Sequence, residues 1–432
     1  MNAGAERTME LLVSRRTGII TEVAHQQRGA EEPVPPHLFT AMLSHFDFRA
    51  APAAERLSGG KGATETQAKL SAIGEAVERY SAYHWDAARV WTGPAQPGAI
   101  TPADCVLYSD AQYETDARYA RWSPEVPISW IRGVELPAGT PVALPAGLVY
   151  LVTPMPLAAD HVTATTSNGL AAGADLTRAI LSGFYEVIER DALLIGWMNQ
   201  LPATRIAVPE NWCHAASIAR HYRLHGVELR LYRLATDQVP YVMLAVLDDL
   251  AGNGPARVIG MGCDVDPVAA LDKAVFEACQ ARPSEAARSG RSDHAERLRS
   301  YEDVRGLDDH PAFHALRRNL GEFDFLDLGD SVALDDLPRP ETADAAAALD
   351  LVVDGLVRAG ARVAYVDITG ADIVATGIRV VRCIATGFQP IHFGHGEARL
   401  GGRRLFDAPV AWGLRDTART EAALNPCPHP LA

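Results

Sequence analysis

The sequence predicts an α/β (α+β) fold made of repeated helix-on-sheet units. Three observations carry that prediction. Stretches with strand periodicity alternate with stretches of helix periodicity along the 432 residues, which is the pattern of mixed α/β architectures. A glycine-rich approach leading into a capped helix occurs three times. Each of those helices carries a Glu followed three residues later by Glu or Gln, at the same distance from its start.

The strand signals are Val227–Tyr232, Val239–Leu247, Arg362–Asp367 and Arg379–Ile384, each alternating or dense in β-branched residues. Leu349, Val352, Val353, Leu356 and Val357 recur at i, i+3, i+4, i+7 and i+8, so they form one apolar helix face, with Gly360 placed to close it. Pro33 to Pro36 marks a loop. The stretch 283–341 is dense in Asp, Arg and Ser and reads as an insertion or a loosely packed segment.

Forty Lys and Arg against 54 Asp and Glu give a formal charge of −14, which excludes a nucleic-acid or anionic-membrane footprint and requires any bound phosphate to be held locally. The first 16 residues lack a signal-peptide apolar region, and no uninterrupted apolar run reaches membrane-spanning length, so a cytoplasmic location is expected. The six cysteines (Cys105, Cys213, Cys263, Cys279, Cys383 and Cys427) form no CxxC pair and read as small core residues. His310 with His314, and His392 with His395, have spacings a metal could use, but surface or core positions explain them more simply.

In the threefold pattern, Thr64, Asp175 and Asp266 each precede a glutamate (Glu75, Glu186, Glu277) by eleven positions. Thr64 with Gln67 fits a capping box, and Asp266 before Pro267 fits an N-cap followed by proline at N1. The second acidic or amide position is Glu78, Glu189 or Gln280, on the same helix face as the first. The approaches are Gly59-Gly60-Lys61-Gly62, Gly169 to Gly173, and Gly260-Met-Gly262.

Glu75 with Arg79 and Glu186 with Arg190 could be ordinary i,i+4 pairs of about 0.3–0.5 kcal/mol on a solvated face. Their apolar flanks, Ile73 and Val77, Phe184 and Ile188, instead predict partial burial. Four converging glutamates would repel one another by on the order of 4 kcal/mol per close pair at an effective dielectric near 20, so cations must sit among them. Magnesium with a nucleotide satisfies that need, and a structural ion-pair cluster is the alternative.

At these residues the chain resembles the YcaO family. The first signature is Ser71-Ala-Ile-Gly-Glu75-Ala-Val-Glu78-Arg79, the second Ser167-Asn168-Gly169 with Glu186-Val-Ile-Glu189-Arg190, and the third Glu277-Ala-Cys-Gln280-Ala-Arg282. Arg16 to Ile20 and Gly377 to Arg382 extend the match over nearly the whole chain. The resemblance implies a YcaO fold around a central ATP and Mg2+ site, with a 1–15 N-terminal extension and one domain over 16–432. By the same resemblance Glu75, Glu78, Glu186 and Glu189 hold magnesium. Ser71, Ser167, Asn168, Glu277, Gln280 and Arg282 contact the nucleotide, Arg79 and Arg190 orient carboxylates or phosphates, and Lys61 reaches a phosphate unless it is a solvated loop lysine.

The tail Pro426-Cys-Pro-His-Pro430-Leu-Ala432 is similar to the Pro-x-Pro-x-Pro terminus of the family's azoline-forming members, and places Pro426, Pro428 and Pro430 at the catalytic site. It departs from that terminus by two extra residues, and Ala385-Thr386-Gly387 stands where many relatives have Pro-Gly. Because the tail holds no long apolar run, its removal is expected to shift melting little. His429 is a candidate proton acceptor or a solvated tail histidine.

The implied activity is ATP-dependent cyclodehydration of Cys, Ser or Thr in a ribosomal precursor peptide. The alternatives are thioamide or amidine formation, or an accessory nucleotide-binding subunit. No zinc-type Cys tetrad or preceding domain is apparent, so a separate E1-like, leader-binding partner is expected, in a homodimer or hetero-complex.

Overall fold

The computed structural model describes residues 3–44, 56–115, 118–119, 121–151, 155–208, 213–289 and 297–431. Strands β1 (Ile20–His25), β2 (His37–Leu43) and β3 (Leu57–Gly62) form an antiparallel sheet in that order. A second sheet has the order β4 (Val90–Gly93), β5 (Ile128–Leu136), β13 (Val363–Asp367), β14 (Arg379–Ala385) and β7 (Leu170–Gly173), with β6 (Thr140–Pro145) also paired to β5. The third runs β11 (Arg257–Asp264), β10 (Tyr241–Asp249), β9 (Val227–Arg233), β8 (Thr204–Ala207) and β12 (Ser331–Ala333), with only the β12–β8 pairing parallel.

Helices are α1 (Ala3–Leu12), α2 (Glu65–Tyr83), α3 (Asp110–Thr115), α4 (Ala146–Val149), α5 (Leu176–Asn199), α6 (Cys213–Leu224) and α7 (Pro267–Ser289), with shorter ones and Ala345–Arg358 following. The four strands expected from sequence fall within two residues of β9, β10, β13 and β14. The apolar-face helix spans Ala345–Arg358, and Gly360 follows it at φ +87°.

Three strand-to-helix units, β3–α2, β7–α5 and β11–α7, repeat one construction, and each strand lies at an edge of its sheet. The caps are those expected. Thr64 accepts from the Gln67 N–H while Gln67 Oε1 accepts from the Thr64 N–H, Asp175 accepts from the Arg178 N–H at 2.9 Å, and Asp266 accepts from the Val268 N–H at 3.0 Å.

Glycines let each helix lie directly on its strand. A Cβ on Gly60 would run into the Ala68 carbonyl and the Ala72 amide, one on Gly260 into Ala274 and Ala278, and one on Gly173 into Ala179. Each helix also packs on the next unit's strand: α2 on β7, α5 on β11 and α7 on β3. The three units therefore close in a ring.

Cores fill both faces of the third sheet. Val242, Leu244 and Val246 of β10 point to the α5 side, and the alternate Met243, Ala245 and Leu247 point to the α6–α7 side. A further core joins α2 to the first and second sheets through Ala72, Ile73, Ala76 and Val77.

Several sequence expectations need correction. The segment 283–341 is not loose over its described residues. Helix α7 continues through Pro283, and Leu298, Val304, Phe313, Phe323, Phe325 and Leu326 enter the main core. Mean polarity hid this, because short helical turns each bury one or two large side chains and expose the polar remainder. The segment before Arg16 likewise contributes Leu12 to the α2 core.

The tail is also built in. Asn425 N–H donates to the Met198 carbonyl at 2.7 Å and Trp197 Nε1 donates to the Cys427 carbonyl at 2.8 Å, while Cys427 and Leu431 join the main core. His310 Nε2 accepts from the Gly394 N–H, so its Nδ1 carries the proton and donates to the His429 carbonyl at 2.8 Å. His314 Nε2 donates to the Pro428 carbonyl at 2.7 Å. His429 is 1 % exposed and stacks on His310, so it is not a solvated tail histidine.

These imidazoles lose hydration on burial. His310 is pulled down to about 4, and His314 and His392 to about 3, so all are neutral near pH 7. His395, by contrast, is exposed. The expectation that the tail is dispensable for stability is overturned. Deleting residues 426–432 is expected to cost at least about 2 kcal/mol, the scale of emptying one large apolar site. Urea denaturation checks this, and an unchanged midpoint would show that the tail is not seated in the core.

Candidate functional site

The ring of strand–helix units turns its acidic faces toward one trough. On α2, Ala68, Ala72, Ile73, Ala76 and Val77 are buried, which leaves Glu75, Glu78 and Arg79 along the border of that apolar stripe. Glu75 Oε2 accepts from the Gly59 N–H at 3.2 Å and Glu75 Oε1 pairs with Arg79 at 3.2 Å. On α5, Arg190 lies 3.6 Å from Glu186 and 3.2 Å from Glu189. Lys61 reaches across from β3 to pair with Glu277 of α7 at 2.9 Å, so it is not a free loop lysine. Gln280 lies against the backbone of Gly59, whose lack of a side chain makes room for it.

The carboxylates act on one another. Glu78 is pushed up to about 8 by burial, then by Glu186 and Glu75, against the pull of Arg79 and Arg382. Glu189 is pushed up to about 7 by burial, with Glu277 and Glu186 adding to it and Arg190 opposing. Glu186 rises for the same first reason. Five glutamates from three helices thus share one field. Arg190 Nη1 is buried there, ion-paired with Glu189 but out of line for a hydrogen bond to it.

Among the described residues no three His, Cys, Asp or Glu side chains are pinched together tightly enough to hold one metal ion by themselves. An elongated trough of that kind fits magnesium, which binds through one or two carboxylates and takes its remaining ligands from water and phosphate. The residues present therefore fit a magnesium nucleotide: repelling carboxylates for the ions, and Arg190, Arg79 and Lys61 for phosphate oxygens.

Other sequence candidates are placed less uniformly. Ser71 is exposed one turn before Glu75 on the same face of α2. Ser167 and Asn168 form the turn into β7, where their carbonyls accept from the Leu170 N–H and from Arg382. Arg282 is committed elsewhere. It is 5 % exposed, is ion-paired with Glu32 and lies over the Tyr222 ring, so its assignment as a nucleotide contact is withdrawn. Two positions beyond Gln280 on the helix, its side chain points away from the trough-facing stripe.

Pro426 is exposed, whereas Pro428 and Pro430 are buried. The tail contacts Met198 and Trp197, and Pro430 lines a small apolar pocket with Leu193, Trp197 and Leu201, so the tail packs against the C-terminal half of α5, the helix that carries Glu189. Leu193 is four residues from Glu189, about 6 Å along the helix.

Arg382 was not singled out by sequence. It is 3 % exposed, donates to the carbonyls of Val149, Asn168 and Thr166, and bears on both Glu78 and Glu186. The available signal was an arginine at an inward position of β14, on the face shared by Val380 and Ile384.

Interacting carboxylates on three glycine-led helices fit a magnesium nucleotide without a P-loop. Residues 59–389 match the family described as YcaO cyclodehydratase, ATP- and Mg2+-binding, and the chain belongs to that family. Its cofactors are ATP and Mg2+. The chain is 28% identical over 378 residues to an uncharacterized protein of Methanothermobacter thermautotrophicus, covering 86% of this chain and 89% of that one.

It is similar in structure to a heterocyclase in complex with substrate and cofactor, with TM-score 0.82 and 26% identity, covering 99% of this chain and 57% of the heterocyclase. The YcaO protein of Methanopyrus kandleri bound with AMPPCP and Mg2+ shares the fold at TM-score 0.64 and 23% identity, over 89% of this chain and 88% of that one. Among the described residues no helix is long and apolar enough to cross a membrane.

The raised carboxylates make stability depend on pH with a definite sign. With Glu78 at about 8 and Glu189 at about 7 in the folded state, against 4.5 when unfolded, the folded chain holds protons that the unfolded chain has lost across this window. Stability of the ligand-free protein is expected to fall as pH rises from about 4.5 to about 8. Thermal denaturation of Glu78→Gln should show a shallower fall, and Mg2+ with AMPPCP should raise the wild-type midpoint most at the alkaline end. An identical slope in the variant would contradict the assignment.

Proposed function

We propose that this chain is an ATP-dependent peptide cyclodehydratase, converting Cys, Ser or Thr of a ribosomal precursor peptide into azoline rings. The observation that carries the reading is the cluster of mutually raised glutamates, with a buried proline tail packed on α5, the helix that carries Glu186 and Glu189. The similarity to a substrate-bound heterocyclase over 99% of this chain supports the same chemistry.

In this reading a substrate thiol or hydroxyl attacks the preceding carbonyl carbon, closing the ring and leaving a tetrahedral oxygen. The bound magnesium nucleotide supplies the phosphoryl group that turns this oxygen into a leaving group. Loss of the amide N–H proton then forms the C=N bond as the C–O bond breaks and phosphate departs.

The chain's own residues position and neutralise, as elsewhere in phosphoryl transfer. Glu75, Glu78, Glu186 and Glu189 hold the ions. Arg79, Arg190 and Lys61 meet the charge on the phosphates, and Ser71, Glu277 and Gln280 border the nucleotide, whereas Asn168 faces the adjoining cavity. The tail, braced by His310 and His314, packs on the helix that carries Glu186 and Glu189.

The chain spans 57% of the heterocyclase, and another structure with this fold is the Escherichia coli microcin synthetase McbBCD complex with pro-MccB17 bound. The microcin synthetase complex supports a reading in which the precursor peptide is recognised together with a leader-binding partner protein. With that partner and a precursor peptide, the protein is expected to release ADP and phosphate as the peptide loses one water per ring. Glu78→Gln and Glu189→Gln should each lower this turnover by roughly a hundredfold, the scale of losing one electrostatic contact in a transition state. Unchanged turnover in both variants would refute the site. A peptide that gains sulfur in place of oxygen, with no loss of water, would establish the thioamide alternative.

A further inference from the structure

Beside the glutamate trough, beyond Arg382, lies a cavity of about 70 Å3. Its lining includes Arg382, Arg399, Thr165, Thr166, Asn168 and Cys105. Val187, which follows Glu186 on α5, also borders it, so cavity and trough adjoin through one residue of α5 and one of β14. Space on this scale exceeds that needed for a single water, and takes a group of several heavy atoms.

Two buried arginines meet on its walls, and no carboxylate closes on either of them in a direct ion pair among the described residues. Arg399 is 6 % exposed and donates to the Ala164 carbonyl at 2.9 Å. Arg382 is 3 % exposed and gives its three recorded hydrogen bonds to backbone carbonyls. Neither makes an ion pair among the described residues, although the other buried arginines, Arg257 and Arg282, pair with Asp248 and Glu32. Glu397, the acidic side chain that bears on Arg399, is already held by Arg118, Tyr108 and Tyr119.

Arg382 feels Glu78 and Glu186 from the far side of the cavity, and Glu397, which bears on Arg399, is already shared, so two buried guanidiniums facing one space favour an anion between them. Asn168 adds a buried side-chain oxygen without a partner, and turning its amide over would present two donors to the same space. Fixed planar donors from two arginines, with threonine hydroxyls beside them, suit an oxyanion with several acceptor oxygens.

We propose that this cavity is a phosphate site, separate from the nucleotide trough, that takes the inorganic phosphate expelled when the ring forms. The proposal rests on the cyclodehydratase reading for the source of the phosphate, but not for the binding itself. Arg382 stands at the boundary and bears on the trough carboxylates from one side and the cavity from the other. Phosphate leaving the peptide would thereby pass at Arg382 from the side of the trough carboxylates to the two arginines of the cavity. Because the cavity differs from the seat of the nucleotide's terminal phosphate, the two anions can be held together.

Equilibrium titration with inorganic phosphate tests this without peptide or turnover, which separates its failure from failure of the functional reading. The wild-type protein loaded with Mg2+ and ADP is expected to bind phosphate, and to bind it still with AMPPCP in place of ADP. Arg399→Gln should weaken phosphate binding at least tenfold while leaving AMPPCP affinity unchanged, and Arg403→Gln, on an exposed side chain, should change neither. Thr166→Val keeps the cavity's shape and should weaken phosphate binding by a few fold, so the test stands even if Arg399→Gln does not fold. Phosphate binding abolished by AMPPCP but not by ADP would show that the cavity is only the seat of the terminal phosphate. Absence of phosphate binding by the wild type, or wild-type binding in both cavity variants, would likewise overturn the proposal.

Discussion

Repulsion among five carboxylates is the constraint on which the rest of this structure depends. Two like charges 4 Å apart oppose each other by on the order of 4 kcal/mol at an effective dielectric near 20, so a fold that gathers Glu75, Glu78, Glu186, Glu189 and Glu277 must supply a strong countervailing force. The force is close packing. Glycines on β3, β7 and β11 let backbone meet backbone, alanines on the helices fit against them, and the ring of three units leaves the glutamates no other direction to face. The unbound site therefore stores an electrostatic demand for cations, visible in the elevation of Glu78 to about 8.

Much of this was legible in the sequence because it is local. Capping residues, glycine approaches and the Glu-x-x-Glu spacing are set within about twenty residues, and Thr64, Asp175 and Asp266 cap their helices as the pattern requires. Long-range features were not legible. The pairing of Lys61 with Glu277 crosses two units, and the burial of Arg382 depends on which way β14 faces. Arg282 follows the signature in sequence, yet its position on the helix turns it toward Glu32, a residue 250 positions away.

The tail shows the same limit from another side. Its prolines were readable, but nothing in seven residues without an apolar run announces that three distant histidines form its bed. Burial explains why histidine suits that place. A neutral imidazole offers one donor to a proline-rich strand whose own amides are scarce, and its low basicity in the core keeps it neutral. Stability and the site are consequently joined on α5, because the tail completes the core around Trp197 on the helix that carries Glu189.

The central claim, that three helices bring their glutamates together to hold nucleotide-bound metal, is tested most directly by counting metal ions. Manganese can replace magnesium and be followed by electron paramagnetic resonance in the presence of AMPPCP. The wild-type protein is expected to bind manganese tightly only with the nucleotide analogue present, and a variant carrying both Glu78→Gln and Glu189→Gln should lose that nucleotide-dependent binding while remaining folded. Manganese bound equally well by the double variant would contradict the claim.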